Sequence, residues 1–224
     1  MREKITIHTV RARKAGPKLT MVTAYDTPMA VVADQAGVDL ILVGDSLADN
    51  VLGFPDTLAA TVDIMIHHAA AVTRAQPHSL VIGDMPWLSY HTSVEEAVRN
   101  AGRLIREARV DAVKLEGGRK RLPVVEAILA AEIPVVGHLG LTPQSVRAMG
   151  GYRVQGRQAN PARELVEDAR ALASAGIFAL VLEGMPDVLA KTITEAVQIP
   201  TIGIGAGIHC DGQVLVLHDI LGLH

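Results

Sequence analysis

The feature that most limits how this 224-residue chain can fold is an alternation: short apolar runs rich in β-branched residues recur along it, with helix-like stretches between them. Runs of that length suit strands buried on both faces, and strands separated by helical stretches are the pattern of parallel βαβ units. Strands are expected at residues 19–23, 39–43, 79–84, 111–116, 134–138, 178–183, 201–205 and 213–217. Helices are expected at 28–36, 62–74, 97–108, 122–131, 162–175 and 187–197. Their ends carry ordinary helix grammar: Gly37 closes the first, Thr61 opens the second, Ser93 with Glu96 makes a capping box, and Pro186 stands at a tolerated first-turn position. Eight strands in alternation favour a closed (β/α)8 barrel of the TIM type over an open doubly wound sheet. The connection 206–212 is too short for a crossover helix, and the sequence ends soon after the eighth strand. The closing helix is therefore expected to be missing or very short, leaving an apolar patch uncovered.

Composition narrows the partners. With 49% hydrophobic residues the chain can bury one sizeable core, and no repeat or linker composition divides it, so residues 1–224 are read as a single domain. A net charge of -3, from 21 basic and 24 acidic residues, makes no field that would draw nucleic acid or an anionic membrane. Aromatic residues, at 3%, are too few for a base-stacking surface. No apolar run approaches the roughly 20 residues of a membrane span, and the basic stretch 1–18 lacks the apolar segment of a signal peptide. Cys210 is the single cysteine, which excludes an internal disulfide, a thiolate metal cage and a CxxC redox pair. The expectation is a cytoplasmic protein acting on small molecules.

In a barrel of this kind the site is built at the C-terminal ends of the strands. Those ends are polar here: Asp45 and Ser46 follow the second strand, Asp84 ends the third, Lys114 and Glu116 the fourth, His138 the fifth and Glu183 the sixth. A lone Asp in such a place is more often a cap or turn residue. Three carboxylates from adjacent strands, Asp45, Asp84 and Glu116, are instead expected to meet on one rim, where a hard divalent cation needs oxygen ligands. Magnesium keeps several waters and is usually held by one or two carboxylates, so one of the three, Glu116, is expected to act through water. Lys114 and Glu116 alternate on one strand face and point inward, either as functional groups or as a structural pair. His138 reads equally as a satisfied core histidine or as a site residue, and His67 and His68 as structural or surface residues. The glycines at 203, 205 and 207 weakly resemble a seventh-strand phosphate loop. Residues 150–157 read as a long mobile loop, a lid or simply solvated.

Several longer runs are more specific. Thr23-Ala24-Tyr25-Asp26, Val43-Gly44-Asp45-Ser46-Leu47, Lys114-Leu115-Glu116-Gly117-Gly118, Gly137-His138-Leu139-Gly140-Leu141-Thr142-Pro143-Gln144, Gly150-Gly151-Tyr152-Arg153-Val154-Gln155-Gly156 and Pro200-Thr201-Ile202-Gly203-Ile204-Gly205-Ala206-Gly207 stand in order along nearly the whole chain. In these runs the sequence resembles the ketopantoate hydroxymethyltransferase family. The resemblance implies a barrel of the phosphoenolpyruvate/pyruvate type that transfers a one-carbon unit from 5,10-methylenetetrahydrofolate to 3-methyl-2-oxobutanoate in pantothenate synthesis. It implies Mg2+ at Asp45, Asp84 and Glu116, an oxo-acid site formed with Asp45, Ser46, Asp84, Lys114 and His138, and Glu183 as general base. It also implies a homo-oligomer, a ring of subunits reaching a decamer. Departures stand at residues 48–53, at Gly184-Met185 and at Ile208-His209, and the family continues past the final residues seen here. Two other functions share these residues: a magnesium-dependent 2-oxo acid lyase or mutase on the same barrel, or a catalytically silent short homologue. A metal-independent isomerase that binds phosphate at residues 203–207 is a third.

Overall fold

The computed structural model describes residues 2–223; Met1 and His224, the ends of the expected domain range, lie outside the described residues. Eight parallel strands close on themselves in sequence order, β1 (Leu19–Thr23), β2 (Leu40–Val43), β3 (Leu80–Asp84), β4 (Ala112–Glu116), β5 (Val135–Gly140), β6 (Ala179–Glu183), β7 (Thr201–Ile204) and β8 (Gly212–Leu215). The barrel expected from the alternation is the fold observed. Helices α1 (Ile7–Arg11), α2 (Thr27–Gln35), α3 (Leu47–Asn50), α4 (Val62–Thr73), α5 (Val94–Arg103), α6 (Leu122–Ala130), α7 (Val146–Met149), α8 (Ala159–Ala175), α9 (Asp187–Ala196) and α10 (Leu217–Ile220) complete the order.

Strand alternation divides the core in two. Leu40, Leu42, Leu80, Ile82, Ala112, Val136, Val181 and Val214 fill the barrel interior. Their neighbours Ile41, Val43, Val81, Val113, Leu115, Val135, Leu180 and Leu182 face outward and pack under the helices. The helix starts follow the expected caps, with Thr61 Oγ1 accepting from Ile64 N at 3.2 Å and Ser93 Oγ from Glu96 N at 3.1 Å. The helix expected at 97–108 begins earlier, at Val94, and its last turn, Leu104–Ala108, widens to a π-helical turn that ends at Arg109 with φ 59°.

Two further departures stand near the ends of the chain. The eighth strand stops at Leu215 rather than running to Leu217, because Leu217 already opens α10, where its N–H donates to Thr23 Oγ1 at 3.1 Å. That four-residue helix is all that follows β8 among the described residues, and Leu215, Ile220, Leu221 and Leu223 are exposed. The basic N-terminal stretch, read from sequence only as lacking a signal peptide, forms α1 and seals the N-terminal end of the barrel. Val10 is fully buried in the interior cluster, and Ile5 and Ile7 pack against it.

Ion pairs fasten that end. Lys14 Nζ lies 2.9 Å from Asp211 Oδ2, and the same carboxylate accepts from Ala15 N at 3.0 Å and Thr201 N at 2.9 Å. Burial pushes the Asp211 carboxyl up, but these donors together outweigh it and hold the group below its ordinary value. A carboxyl whose folded pKa lies below its unfolded value, about 3.9, stabilises the fold above that value and loses the contribution as pH falls through the folded one. Asp211→Asn should therefore lose roughly 1–3 kcal/mol at neutral pH, through unsatisfied buried donors. Its deficit against the parent in urea unfolding should shrink below about pH 4. A deficit that stays constant down to pH 2 would refute the linkage.

Candidate active site

Where the apolar interior layers end, the same alternation delivers polar groups. Leu80 and Ile82 are followed by Asp84, Ala112 by Lys114 and Glu116, Val136 by His138, and Ala179 and Val181 by Glu183. Asp45 and Ser46 follow β2 in the next loop. All of them line one cavity of about 110 Å3 with Thr57, Leu42, Val181, Ile204 and Val214. One water needs roughly 10–15 Å3 by this measure, so the space suits a molecule of several heavy atoms. A larger open groove of about 520 Å3 runs between α8 and α9, lined by Arg157, Val166 and Leu189 among others, and lies away from this cluster.

Strand register decides the pairs. Asp84 stands opposite Lys114 across β3 and β4, and Glu116 opposite His138 across β4 and β5. Lys114 Nζ accordingly lies 2.9 Å from Asp84 Oδ1, so its partner is Asp84 and not the strand-mate Glu116 of the structural-pair reading. His138 Nδ1 is 3.4 Å from Glu116 Oε1 and Nε2 is 3.2 Å from Glu183 Oε2. Lys114 Nζ also comes within 3.3 Å of His138 Nδ1. Ser46 Oγ shares a hydrogen bond of 2.9 Å with the Tyr25 hydroxyl. Asp45 N donates to Asp84 Oδ2 at 3.1 Å, which ties the two carboxylate-bearing strand ends together.

Glycine makes two of these approaches possible. A Cβ on Gly140, which has φ 99°, would stand 2.1 Å from the Glu183 carbonyl oxygen, so only glycine lets β5 and β6 stay paired beside Glu183. A Cβ on Gly44 would meet Ser46 Oγ at 3.0 Å and Asp84 Oδ2 at 3.5 Å.

The electrostatics are those of a site with surplus negative charge. Burial first, then the Asp84 and Glu116 carboxylates, push the Asp45 carboxyl well above its ordinary value. Burial also raises Asp84, with Lys114 opposing it. Glu116 is held low, because His138, Lys114 and the Gln144 N–H outweigh its burial. Burial depresses Lys114, but Asp84, Glu116 and Asp45 outweigh that and raise it. Burial and Lys114 both depress His138, yet Glu116 and Glu183 prevail and lift it to about 9. The buried His138 thus stands between two carboxylates and the Lys114 ammonium, with no aligned hydrogen bond at Nε2. Asp45, Asp84, Glu116 and Glu183 face only Lys114 and His138, which leaves two negative charges uncompensated when all are ionised.

A hard divalent cation matches that deficit in charge and donor type. Asp84 Oδ1 is buried and receives no aligned hydrogen bond, so it retains acceptor capacity. Among the described residues no group of three or more His, Cys, Asp or Glu is spaced to hold an ion. One Glu116 oxygen accepts from Gln144 N at 3.1 Å and the other lies 3.4 Å from His138 Nδ1. The Asp45 and Asp84 strand ends are tied by the Asp45 N–H, and magnesium usually takes one or two carboxylates.

Other expectations resolve simply. His68 Nδ1 lies 2.8 Å from the Tyr25 carbonyl oxygen and is structural. Loop 150–157 is pinned at its far end, where Gln155 N donates to Gly184 O at 2.8 Å. Burial first, then the carboxylates of Asp49, Asp56, Asp45 and Glu183, raise the phenol of the exposed Tyr152 in this loop. Gly203 within β7 and Gly207 after it serve close packing, since a Cβ would meet Cys210 Sγ at 3.0 Å from Gly203 and Asp187 Cβ at 2.4 Å from Gly207. An aspartate there disfavours a bound phosphate.

Sequence reading assigned no role to three further residues. Thr57 is buried in the cavity wall and its Oγ1 has no partner, a hydroxyl open to a ligand. Gln144 and Tyr90 form a buried hydrogen-bonded unit under Asp45. Gln144 lay within a recognised run; Tyr90, in the loop after β3, carried no signal.

A family model described as ketopantoate hydroxymethyltransferase matches residues 4–224. The chain is 56% identical over 221 residues to the 3-methyl-2-oxobutanoate hydroxymethyltransferase of Syntrophomonas wolfei, covering 98% of this chain and 80% of that protein. It is 58% identical over 223 residues to the protein of the same name from Moorella thermoacetica, covering 99% and 83%. Among solved structures, oxaloacetate acetylhydrolase superposes with a TM-score of 0.74 at 16% identity, covering 99% of this chain and 84% of that one. Phosphonopyruvate hydrolase gives 0.74 at 14% identity, covering 97% and 82%. At those identities the structural likeness shows the shared barrel alone.

Proposed function

The chain belongs to the ketopantoate hydroxymethyltransferase family, and from that we propose that it moves a hydroxymethyl group from 5,10-methylenetetrahydrofolate to 3-methyl-2-oxobutanoate, forming 2-dehydropantoate for pantothenate synthesis. The observation that carries the reading is one small cavity holding a carboxylate base, Glu183, together with the Asp45 and Asp84 pair and a buried ammonium.

The chemical difficulty is the C3 proton of a branched 2-oxo acid, which is weakly acidic. Asp45 and Asp84 would hold Mg2+, with Glu116 joining through water. When bound, the ion supplies Lewis-acid stabilisation of negative charge on the keto oxygen. Glu183 takes the C3 proton, and the electron pair of that bond passes toward the keto oxygen. Lys114 adds fixed positive charge on the same side, already oriented by Asp84. His138 Nε2 lies 3.2 Å from Glu183 Oε2 without an aligned hydrogen bond, beside the oxygens that receive the proton. Ser46, Thr57 and His138 supply polar contacts to the oxo acid. C3 then bonds to the methylene carbon of the opened folate, and water provides the hydroxyl as the carbon–nitrogen bond breaks and tetrahydrofolate leaves.

Family membership also supports a homo-oligomer, a ring of subunits up to a decamer, working in the cytoplasm. Among the described residues no helix is long and apolar enough to cross a membrane. The test is turnover by the purified chain. Product should form only when Mg2+, the oxo acid and 5,10-methylenetetrahydrofolate are all present. Carbon–carbon cleavage of a 2-oxo acid without folate would move the assignment to a lyase, and no turnover with any of these would remove it.

A further inference from the structure

The polar group closest to Asp45 is not another site residue but the Gln144 side chain. Gln144 Nε2 donates to Asp45 Oδ2 at 2.8 Å and to the Met85 carbonyl oxygen at 2.9 Å. The Tyr90 hydroxyl donates to Gln144 Oε1 at 2.6 Å and itself accepts from Glu116 N at 3.1 Å. All four residues Asp45, Tyr90, Glu116 and Gln144 are 5% exposed or less.

The chemistry of the partners fixes which way the amide points. A backbone carbonyl can only accept, so the amide atom 2.9 Å from Met85 O must be the NH2 group, which also reaches Asp45 Oδ2. The Tyr90 oxygen already receives the Glu116 N–H, which leaves its own proton for Gln144 Oε1. Both amide protons and the amide oxygen are therefore engaged, and a flipped amide would face two acceptors with an acceptor. Tyr90 is in turn immobilised, with the Arg121 guanidinium 5.5 Å above its ring and the His91 ring 4.2 Å away.

We infer that Gln144, held in one orientation by Tyr90, is a positioning residue that occupies one oxygen of Asp45 and so presents the other as a single-oxygen ligand to the divalent cation. The inference rests on the magnesium reading above. Its physical content is selectivity. Magnesium demands near-ideal octahedral geometry from separate oxygens, whereas calcium accepts carboxylates that bind through one oxygen or both. A carboxylate with one oxygen already committed favours the smaller ion. Released from Gln144, Asp45 can rotate and offer both oxygens.

The experiment compares Gln144→Met, which keeps the side-chain length without its donors, and Tyr90→Phe, which removes only the hydroxyl that orients the amide. Mn2+ affinity is measured on the full chain by electron paramagnetic resonance of the free ion, and Ca2+ affinity by competition; neither needs turnover. Gln144→Met should weaken Mn2+ by roughly the 10- to 100-fold typical of groups that support metal ligands. Ca2+ should weaken less, so the preference for Mn2+ over Ca2+ falls. Tyr90→Phe should shift both in the same direction by a smaller factor, and the double variant should be no worse than Gln144→Met alone. A role confined to stability would lower the melting temperature without changing the ratio of the two affinities. Should Gln144→Met fail to fold, Tyr90→Phe alone decides the question. If the parent binds Mn2+ and the folded variants bind both ions as it does, this inference is overturned while the magnesium reading stands; a parent that binds no Mn2+ overturns both.

Discussion

In deuterated water the parent protein, supplied with Mg2+ and 3-methyl-2-oxobutanoate, should exchange the C3 proton of the oxo acid, and Glu183→Gln should slow that exchange by about 100- to 10,000-fold, the range for a positioned general base. Glutamine preserves the volume of the side chain, but it cannot take a proton from carbon. The Glu183 side chain is 22% exposed, so the substitution leaves the packed core untouched and oxo-acid binding should change little. The loss should fall on the rate and not on affinity, as for an interaction needed only in the transition state. The C3 resonance followed by NMR, with tetrahydrofolate added if the site requires it, gives the answer. Exchange by Glu183→Gln at the parental rate would remove Glu183 as the base. His138, whose Nε2 lies 3.2 Å from the same position, would then be the next candidate to test.

Asp84→Asn should lose affinity and stability together. As one of the two carboxylates assigned to the ion, Asp84 should cost at least roughly 10- to 100-fold in Mg2+-dependent oxo-acid binding when neutralised. The same change leaves the Lys114 ammonium, whose side chain is 5% exposed, without its carboxylate at 2.9 Å. Removing one member of a buried ion pair typically costs roughly 3–5 kcal/mol, because the remaining charge stays desolvated. Adding Lys114→Met to Asp84→Asn should recover part of that stability in urea unfolding and none of the binding, which separates the two effects. Magnesium dependence unchanged in Asp84→Asn would refute its assignment as a ligand; unchanged stability would mean that water reaches Lys114.

What could be read from the amino-acid order was whatever depends on neighbours a few positions apart. Alternation along Ala112, Lys114 and Glu116 is enough to send all three inward, and the same rule carries Asp84, His138 and Glu183 to the cavity. The barrel follows from repeating that local pattern eight times with helices between. Partner choice does not follow from it. Lys114 meets Asp84 because the register of two separate strands sets them opposite, and a shift along the strands would have paired it otherwise. The contact from Gln144 to Asp45 spans 99 positions, and that from Tyr90 to Gln144 spans 54, so no periodicity near either residue could announce them. The plug formed by Ile5, Ile7 and Val10 was hidden for a similar reason, because α1 is too short to show a helical face and is buried only by the barrel it seals. Residue type and local spacing thus specified which groups reach the cavity, whereas loop closure and strand register, which act between distant segments, selected which of them touch.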